Sequence, residues 1–389
     1  MASLLITNCR LYDAVETAST SCVLIRDGKI ARVARASTSG KADKVLDAQG
    51  RILAPGLIDV HIQGAGGADV LDATPEALAT ISRTCARFGV TGFLATTVYR
   101  PGLDNRHLKV AAECTGRDLG GAHLLGTHLE GPFISFEKKG MIQPSCLAQP
   151  SAAVLEDIYA LLGDSLRMMT IAPELPGSLE AIRALVDHRT IASFGHSNAT
   201  YEQATQGFNA GITHVTHLFN AMPSLHHRQP GPLAAIFERP NVTCQVITDG
   251  VHSHPSVLRL AYKAIGPGRF VTITDGMQAM GLPDGQYVYN GIEYEAKDGA
   301  ARYKNGTLIG TALGLNQMLA RLIRFTGCSL STAIDTVTNN AAEVLDLADA
   351  KGSISKGKDA DLVLLDDDLS VHATMVGGRV VYEDQQRCP

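Results

Sequence analysis

The chain has 389 residues, of which 45% are hydrophobic and 19% charged, enough to bury a large core and to fit one barrel plus a smaller domain. The net charge is −5 and there are no long runs of Lys or Arg, which argues against a nucleic-acid partner. No apolar stretch approaches the roughly 20 residues that span a bilayer, and Met1–Asn8 is too short in its apolar part and lacks the basic start of a signal peptide, so a soluble cytoplasmic protein is expected.

Residues 2–53 read as β-rich, with short strands at Leu4–Thr7, Ser21–Ile25 and Lys29–Val33 and an Asp27-Gly28 turn between the last two. From there, short β-branched runs alternate with amphipathic stretches. Strands are expected at 58–62, 91–97, 122–129, 168–172, 190–195, 212–217, 243–249 and 270–275, with helices such as Pro75–Phe88 and Leu179–Asp187 between them. Eight parallel strands with intervening helices predict a (β/α)8 barrel. Residues 286–309 break the rhythm. Tyr287–Tyr289, Asn290-Gly291 and Ile292–Tyr294 read as an inserted hairpin ahead of a helix over Gly314–Arg324. Asp361–Leu365 and Arg379–Tyr382 are further strands, with a Gly377-Gly378 turn. The expected fold class is therefore α/β: a TIM-like (β/α)8 barrel over residues 54–345, with a small β-sandwich built from both termini, residues 1–53 and 346–389. The eight cysteines are scattered without a C-x-x-C pair, so reduced, buried thiols are expected rather than a zinc ribbon or redox motif.

The polar residues at the ends of these runs carry the chemistry. Glu130 ends Gly126-Thr-His-Leu-Glu130, His196 ends Ile191-Ala-Ser-Phe-Gly-His196, His217 ends Ile212-Thr-His-Val-Thr-His217, and Asp275 ends Phe270-Val-Thr-Ile-Thr-Asp275. Barrel enzymes place their reacting groups at the C-terminal ends of the strands. A single histidine there is more often a hydrogen-bonded core residue than a ligand. A carboxylate is different, because burying it costs several kcal/mol unless a cation compensates. One carboxylate and two imidazoles suit a divalent metal with an open position, and Asp275 suits a base that takes a proton from water and returns it to a leaving group. The competing reading of Asp275 is an N-cap of the following turn. His214 lies three positions before His217, so strand alternation points it to the opposite face and a structural role is expected. His128, two positions before Glu130, points the same way but deeper, as a hydrogen-bonded support. His252 is a candidate for contact with a substrate hydroxyl or phosphate, and Asp249 for shaping its loop.

Taken together, these residues make the chain resemble the amidohydrolase superfamily, and within it the N-acetylglucosamine-6-phosphate deacetylases. The similarity runs over almost the whole chain. Pro55-Gly-Leu-Ile-Asp-Val-His-Ile-Gln-Gly64 looks like the first barrel strand of that family. His128-Leu-Glu-Gly-Pro132, Gly195-His-Ser-Asn-Ala-Thr200 and Thr216-His-Leu-Phe-Asn-Ala-Met222 look like its metal-site segments, and Thr274-Asp-Gly276 like its catalytic aspartate. Gly352–Leu362 resembles the return strand into the small β domain of many amidohydrolases.

The resemblance implies that Glu130, His196 and His217 hold one divalent metal, Zn²⁺ in the first place with Fe²⁺ or another divalent ion as alternatives, and that Asp275 is the general base and then acid. It implies that Asn220, the Ala221 backbone, Arg228 and His252, with His227 nearby, bind a phosphorylated amino sugar. It further implies a homodimer in which Arg228 reaches the neighbouring site. The expected reaction is deacetylation of N-acetylglucosamine 6-phosphate. The alternatives are another N-acetyl sugar or C–N amide or imide, and a non-catalytic sugar-phosphate-binding paralogue. Three departures stand out. His61-x-Gln63 is half of the His-x-His pair that supplies a second metal in some members, leaving His61 and Gln63 as the candidates for a second ion. Ile142 stands where the family usually places a histidine that polarises the amide carbonyl. Leu308–Leu313 differs from the usual loop near the acyl group.

Overall fold

The computed structural model describes residues 3–15, 20–35 and 42–384; Cys388 lies outside them. The other cysteines are free thiols, and all but Cys328 are fully buried. No helix among the described residues is long and apolar enough to cross a membrane.

Eight parallel strands form the body of the molecule: β1 (Leu57–Ile62), β2 (Val90–Thr97), β3 (His123–Glu130), β4 (Leu166–Ile171), β5 (Ile191–Phe194), β6 (His214–Val215), β7 (Thr243–Ile247) and β8 (Phe270–Ile273). Each pairs with the next in chain order. The two ends meet where Ile62 bridges Gly276 in parallel, the Asp275 amide donates to the His61 carbonyl (3.0 Å) and the Gln63 amide to the Gly276 carbonyl (2.9 Å). The sheet thus closes on itself. Strands such as β1 and β2 are buried along their whole length, as required when helices cover one face and barrel side chains fill the other. The helices start where the local chemistry dictates. Thr74 caps Pro75–Arg87 with proline in its first turn, and Thr200 and Gln203 form a capping box at the head of Tyr201–Ala210.

The strands are shorter than their apolar runs. His196, His217 and Asp275 lie beyond the ends of β5, β6 and β8, in left-handed conformations with φ of 47°, 28° and 51°. A residue with positive φ cannot continue a strand, so the runs expected to end at 195, 217 and 275 stop short of them. This also overturns the alternation argument for His214. Because His217 is past the strand, counting by twos does not relate the two side chains. His214 is fully buried, bonded through Nδ1 to the Thr243 hydroxyl at 2.6 Å, and burial lowers it to about 3, so it is a neutral support inside the barrel.

Both termini meet in a second sheet of eight strands. Its order is Arg379–Glu383, Val371–Val376, Leu362–Leu365, Ile52–Pro55, Leu4–Leu11, Ser21–Arg26 and Lys29–Arg35, with Lys44–Asp47 pairing parallel to Leu4–Leu11. The sheet encloses a small core of Ile6, Val23, Ile25, Leu53, Leu362, Leu364 and Met375. The expected boundary between residues 53 and 54 falls inside Ile52–Pro55, all four of whose residues pair with Leu362–Leu365. After β8 the insertion is larger than the expected hairpin. It is a four-stranded antiparallel sheet of Gly285–Tyr289, Ile292–Lys297, Ala300–Tyr303 and Leu308–Thr311. The following helix runs Leu315–Thr326, with Gly314 as its cap.

Candidate active site

Glu130 is the last residue of β3 and is 3% exposed. Its Oε1 lies 2.9 Å from His196 Nε2 and 3.0 Å from His217 Nε2, and the two imidazole nitrogens are 3.1 Å apart. His196 Nδ1–H donates to the Lys138 carbonyl at 2.7 Å, which leaves the Nε2 lone pair aimed at the other two. Ligand-type atoms crowded to this distance repel one another unless a proton or a cation lies among them. The donor set and its convergence therefore fit a divalent metal, and this is the one such cluster among the described residues. Burial alone would raise the Glu130 carboxyl, but His196 and His217 outweigh it and hold the group well below the ordinary carboxylate range. Burial alone would lower His217, and the Glu130 carboxylate overcomes that and raises it.

Asp275 faces this cluster across the barrel mouth. Its Oδ1 accepts from Gln63 Nε2 at 3.0 Å and sits 3.2 Å from His61 Nε2. His61 is held in turn by Gln245, whose Oε1 lies 2.9 Å from His61 Nδ1. Behind the site the barrel interior is a hydrogen-bonded floor. His128 bonds the Val60 carbonyl and the Thr170 hydroxyl (3.1 and 2.8 Å), Thr170 bonds Thr216 (2.8 Å), and Thr216 bonds Ser193 (2.7 Å). His128 thus supports the site from below, and burial keeps it neutral, far below the usual histidine range.

A cavity of about 230 Å³ opens over these groups. It is lined by Gln63, Glu130, His196, His217 and Asp275, by Asn220, Ala221 and His252, and by Met141 and Leu308–Gly310. His252 is fixed by its Nδ1 contact with Asp249 Oδ2 at 2.7 Å, while Asp249 Oδ1 accepts from the Val251 and His252 amides (both 2.9 Å). Burial would raise Asp249, and these contacts hold it below its usual value instead. Ala221 sits at φ 52°, and Asn220 donates its side-chain amide to the His217 and Leu218 carbonyls.

Arg228 and His227 do not line this cavity. Both are exposed, and Arg228 borders a separate surface hollow with Thr200, Tyr201 and Pro230. Ile142 is likewise outside it, packed with Val98, Ile134 and Cys146. Two contributors escaped the sequence reading. Met141 lines the cavity from the segment that carries Ile142. Gln245 has a faint signal, a single amide within the apolar strand Thr243–Ile247.

The model of the amidohydrolase family matches residues 52–381, and the chain belongs to that family. It is 36% identical to the N-acetylglucosamine-6-phosphate deacetylase of Bacillus subtilis (strain 168), over 98% of this chain and 97% of the relative, which places it among the N-acetylglucosamine-6-phosphate deacetylases. A solved N-acetyl-D-glucosamine-6-phosphate deacetylase from Mycobacterium smegmatis, in complex with N-acetyl-D-glucosamine-6-phosphate, superposes with a TM-score of 0.89 at 30% identity, covering 98% of this chain and all of that one. An N-acetylgalactosamine-6-phosphate deacetylase from Escherichia coli O157:H7 is 34% identical over 92% of this chain and 93% of its own length.

Proposed function

We propose that this protein hydrolyses N-acetylglucosamine 6-phosphate to glucosamine 6-phosphate and acetate. The observation that carries the reading is the convergence of Glu130, His196 and His217 opposite Asp275 in one cavity that also exposes Asn220, Ala221 and His252. Glu130, His196 and His217 would hold a single divalent ion, Zn²⁺ being the first choice, whose Lewis acidity would activate water and polarise the amide carbonyl. The remaining work belongs to the protein. Asp275 accepts the proton of the attacking water and later delivers it to the departing amine. Asn220 and the Ala221 backbone hold the phosphate end and His252 contacts the sugar, so that contacts far from the amide place its carbonyl. The exposure of Arg228, outside its own chain's cavity, supports its reaching the phosphate site of a second copy, and its fork geometry suits that anion. The working unit is then a homodimer, a cytoplasmic enzyme of amino-sugar metabolism.

A second reading, deacetylation of the galacto epimer, is favoured by the E. coli relative. Acetate release from both 6-phosphates and both unphosphorylated sugars separates the two. The expected order is N-acetylglucosamine 6-phosphate first, the free sugars far behind, and loss of turnover on chelation that added Zn²⁺ restores. No acetate from either phosphosugar with metal-loaded protein would sink both readings.

A further inference from the structure

Gln63 occupies a place its own hydrogen bonding does not explain. It is 1% exposed, and its carbonyl oxygen Oε1 is buried with no partner among the described residues. Its amide nitrogen is the group that is engaged. Nε2 lies 3.0 Å from Asp275 Oδ1 and 3.4 Å from His61 Nε2, and those two atoms are 3.2 Å from each other. The direction of each bond follows from its neighbours. Gln245 turns its own Nε2 toward the Met168 sulfur (3.4 Å), so its Oε1 accepts from His61 Nδ1–H. In a neutral imidazole His61 Nε2 then carries a lone pair. A lone pair and a carboxylate oxygen 3.2 Å apart repel, and the two hydrogens of the Gln63 amide are shared between them. Reversing the amide would set Oε1 against both acceptors, so the contacts favour the orientation in which Nε2 faces them. The backbone is pinned as well, with the Gln63 amide donating to the Gly276 carbonyl beside Asp275.

We propose that Gln63 is a positioning residue for Asp275, whose side-chain NH₂ bridges His61 and the aspartate and holds one carboxylate oxygen so that the other faces the substrate. The amide does here what a cation lodged between imidazole and carboxylate would do, without adding charge. Asp275 Oδ2 has no hydrogen-bond partner among the described residues, which leaves it as the oxygen that receives the proton. The inference rests on the deacetylase reading for its kinetic consequence and on the contacts alone for its structural one.

The test is Gln63→Met, which keeps the length of the side chain and removes its hydrogens, compared with wild type on N-acetylglucosamine 6-phosphate. The expected result is a fall in kcat of about tenfold or more with KM within about twofold, because a misaimed base costs rate and leaves binding alone. Metal content should stay at the wild-type stoichiometry, and crystals of the metal-free variant should show the Asp275 carboxylate turned away from its wild-type position. Should Gln63→Met not fold, Gln63→Asn, one methylene too short to span the gap, makes the same comparison. Unchanged kcat together with an unmoved Asp275 overturns the proposal, as does a rate loss accounted for by lost metal. A wild-type protein that releases no acetate removes the functional reading instead, and the metal-free crystals still decide whether Gln63 holds Asp275.

Discussion

His196, His217 and Asp275 share a backbone conformation that an L side chain adopts only under constraint, at about 1 kcal/mol or more each. In each case the twist turns the side chain off the strand direction and across the barrel mouth. Glu130, still within β3, needs no such turn. Glu130→Ala should therefore fold but lose its ion, and elemental analysis showing wild-type metal content would remove it from the ligand set. Asp275→Asn should keep the metal and lose turnover by about 10³-fold, the scale expected when the sole proton carrier is disabled. A variant with most of its activity would take Asp275 out of that role. These four residues were legible in the sequence because each is a polar group closing an apolar β-branched run. Gln245 was barely legible, because its partner His61 is 184 positions away and no periodicity links them. The placement of His214 was misread because the alternation rule was carried across a backbone reversal at His217.

Between elements, β8 is held on two sides. Toward β1, Asp59 accepts from the Thr274 hydroxyl and from the His61 amide (3.2 Å). That carboxyl is fully buried, and burial lifts it to about 7 against the hydrogen bonds that oppose the shift. Toward the insertion, the Thr311 amide donates to the Asp275 carbonyl (2.9 Å) and the Thr311 hydroxyl to the Thr274 carbonyl (2.8 Å). Gly310 makes this docking possible. Its φ is +138°, and a Cβ there would lie 2.5 Å from the Asp275 carbonyl oxygen and 2.9 Å from Met277 Cγ. Gly310→Ala should push Leu308–Thr311 off the end of β8, lowering Tm by several degrees and acetate release by about tenfold or more. Wild-type values for both would show the contact to be dispensable. The barrel strands were readable because parallel strands buried on both faces are runs of Val, Ile and Thr. The insertion was half readable. Its first two strands have a hairpin turn between aromatic residues, whereas Ala300–Tyr303 offers neither β-branched residues nor alternation.

Across the whole molecule, one half-buried lysine links the end of the barrel to the terminal sheet. Lys351 pairs with Asp359 at 2.9 Å and with Asp361, whose other oxygen accepts from the Gly377 amide. Burial would lower Lys351, and the two carboxylates raise it instead. Burial would raise Asp359, and Lys29 and Lys351 bring it below its usual value. Lys351→Met leaves Asp361 without its cation while Asp359 keeps Lys29, and should cost about 1–3 kcal/mol at neutral pH. Asp359 is depressed, so its share is complete above 3.8 and is lost as the pH falls through its folded value. Lys351 is raised, so its share is complete below 10.5 and is lost as the pH rises through its folded value. The Tm gap between variant and wild type should thus be flat through the neutral range and narrow below 3.8. A gap that widens in acid would contradict the assignment. The joining of both termini was legible as an idea, from similar strand patterns at the two ends. The register was not, since nothing local in Ile52–Pro55 names Leu362–Leu365 as its partner.

That pairing has a consequence for how the protein is made. Leu53 and its neighbours leave the ribosome some 300 residues before Leu362–Leu365, the strand that covers them. At roughly 5–20 residues per second the nascent chain carries this apolar edge open for tens of seconds while the barrel is still being synthesised. Chaperone binding during translation should therefore concentrate on Ile52–Pro55 and the strands before it and end only when the last strands emerge.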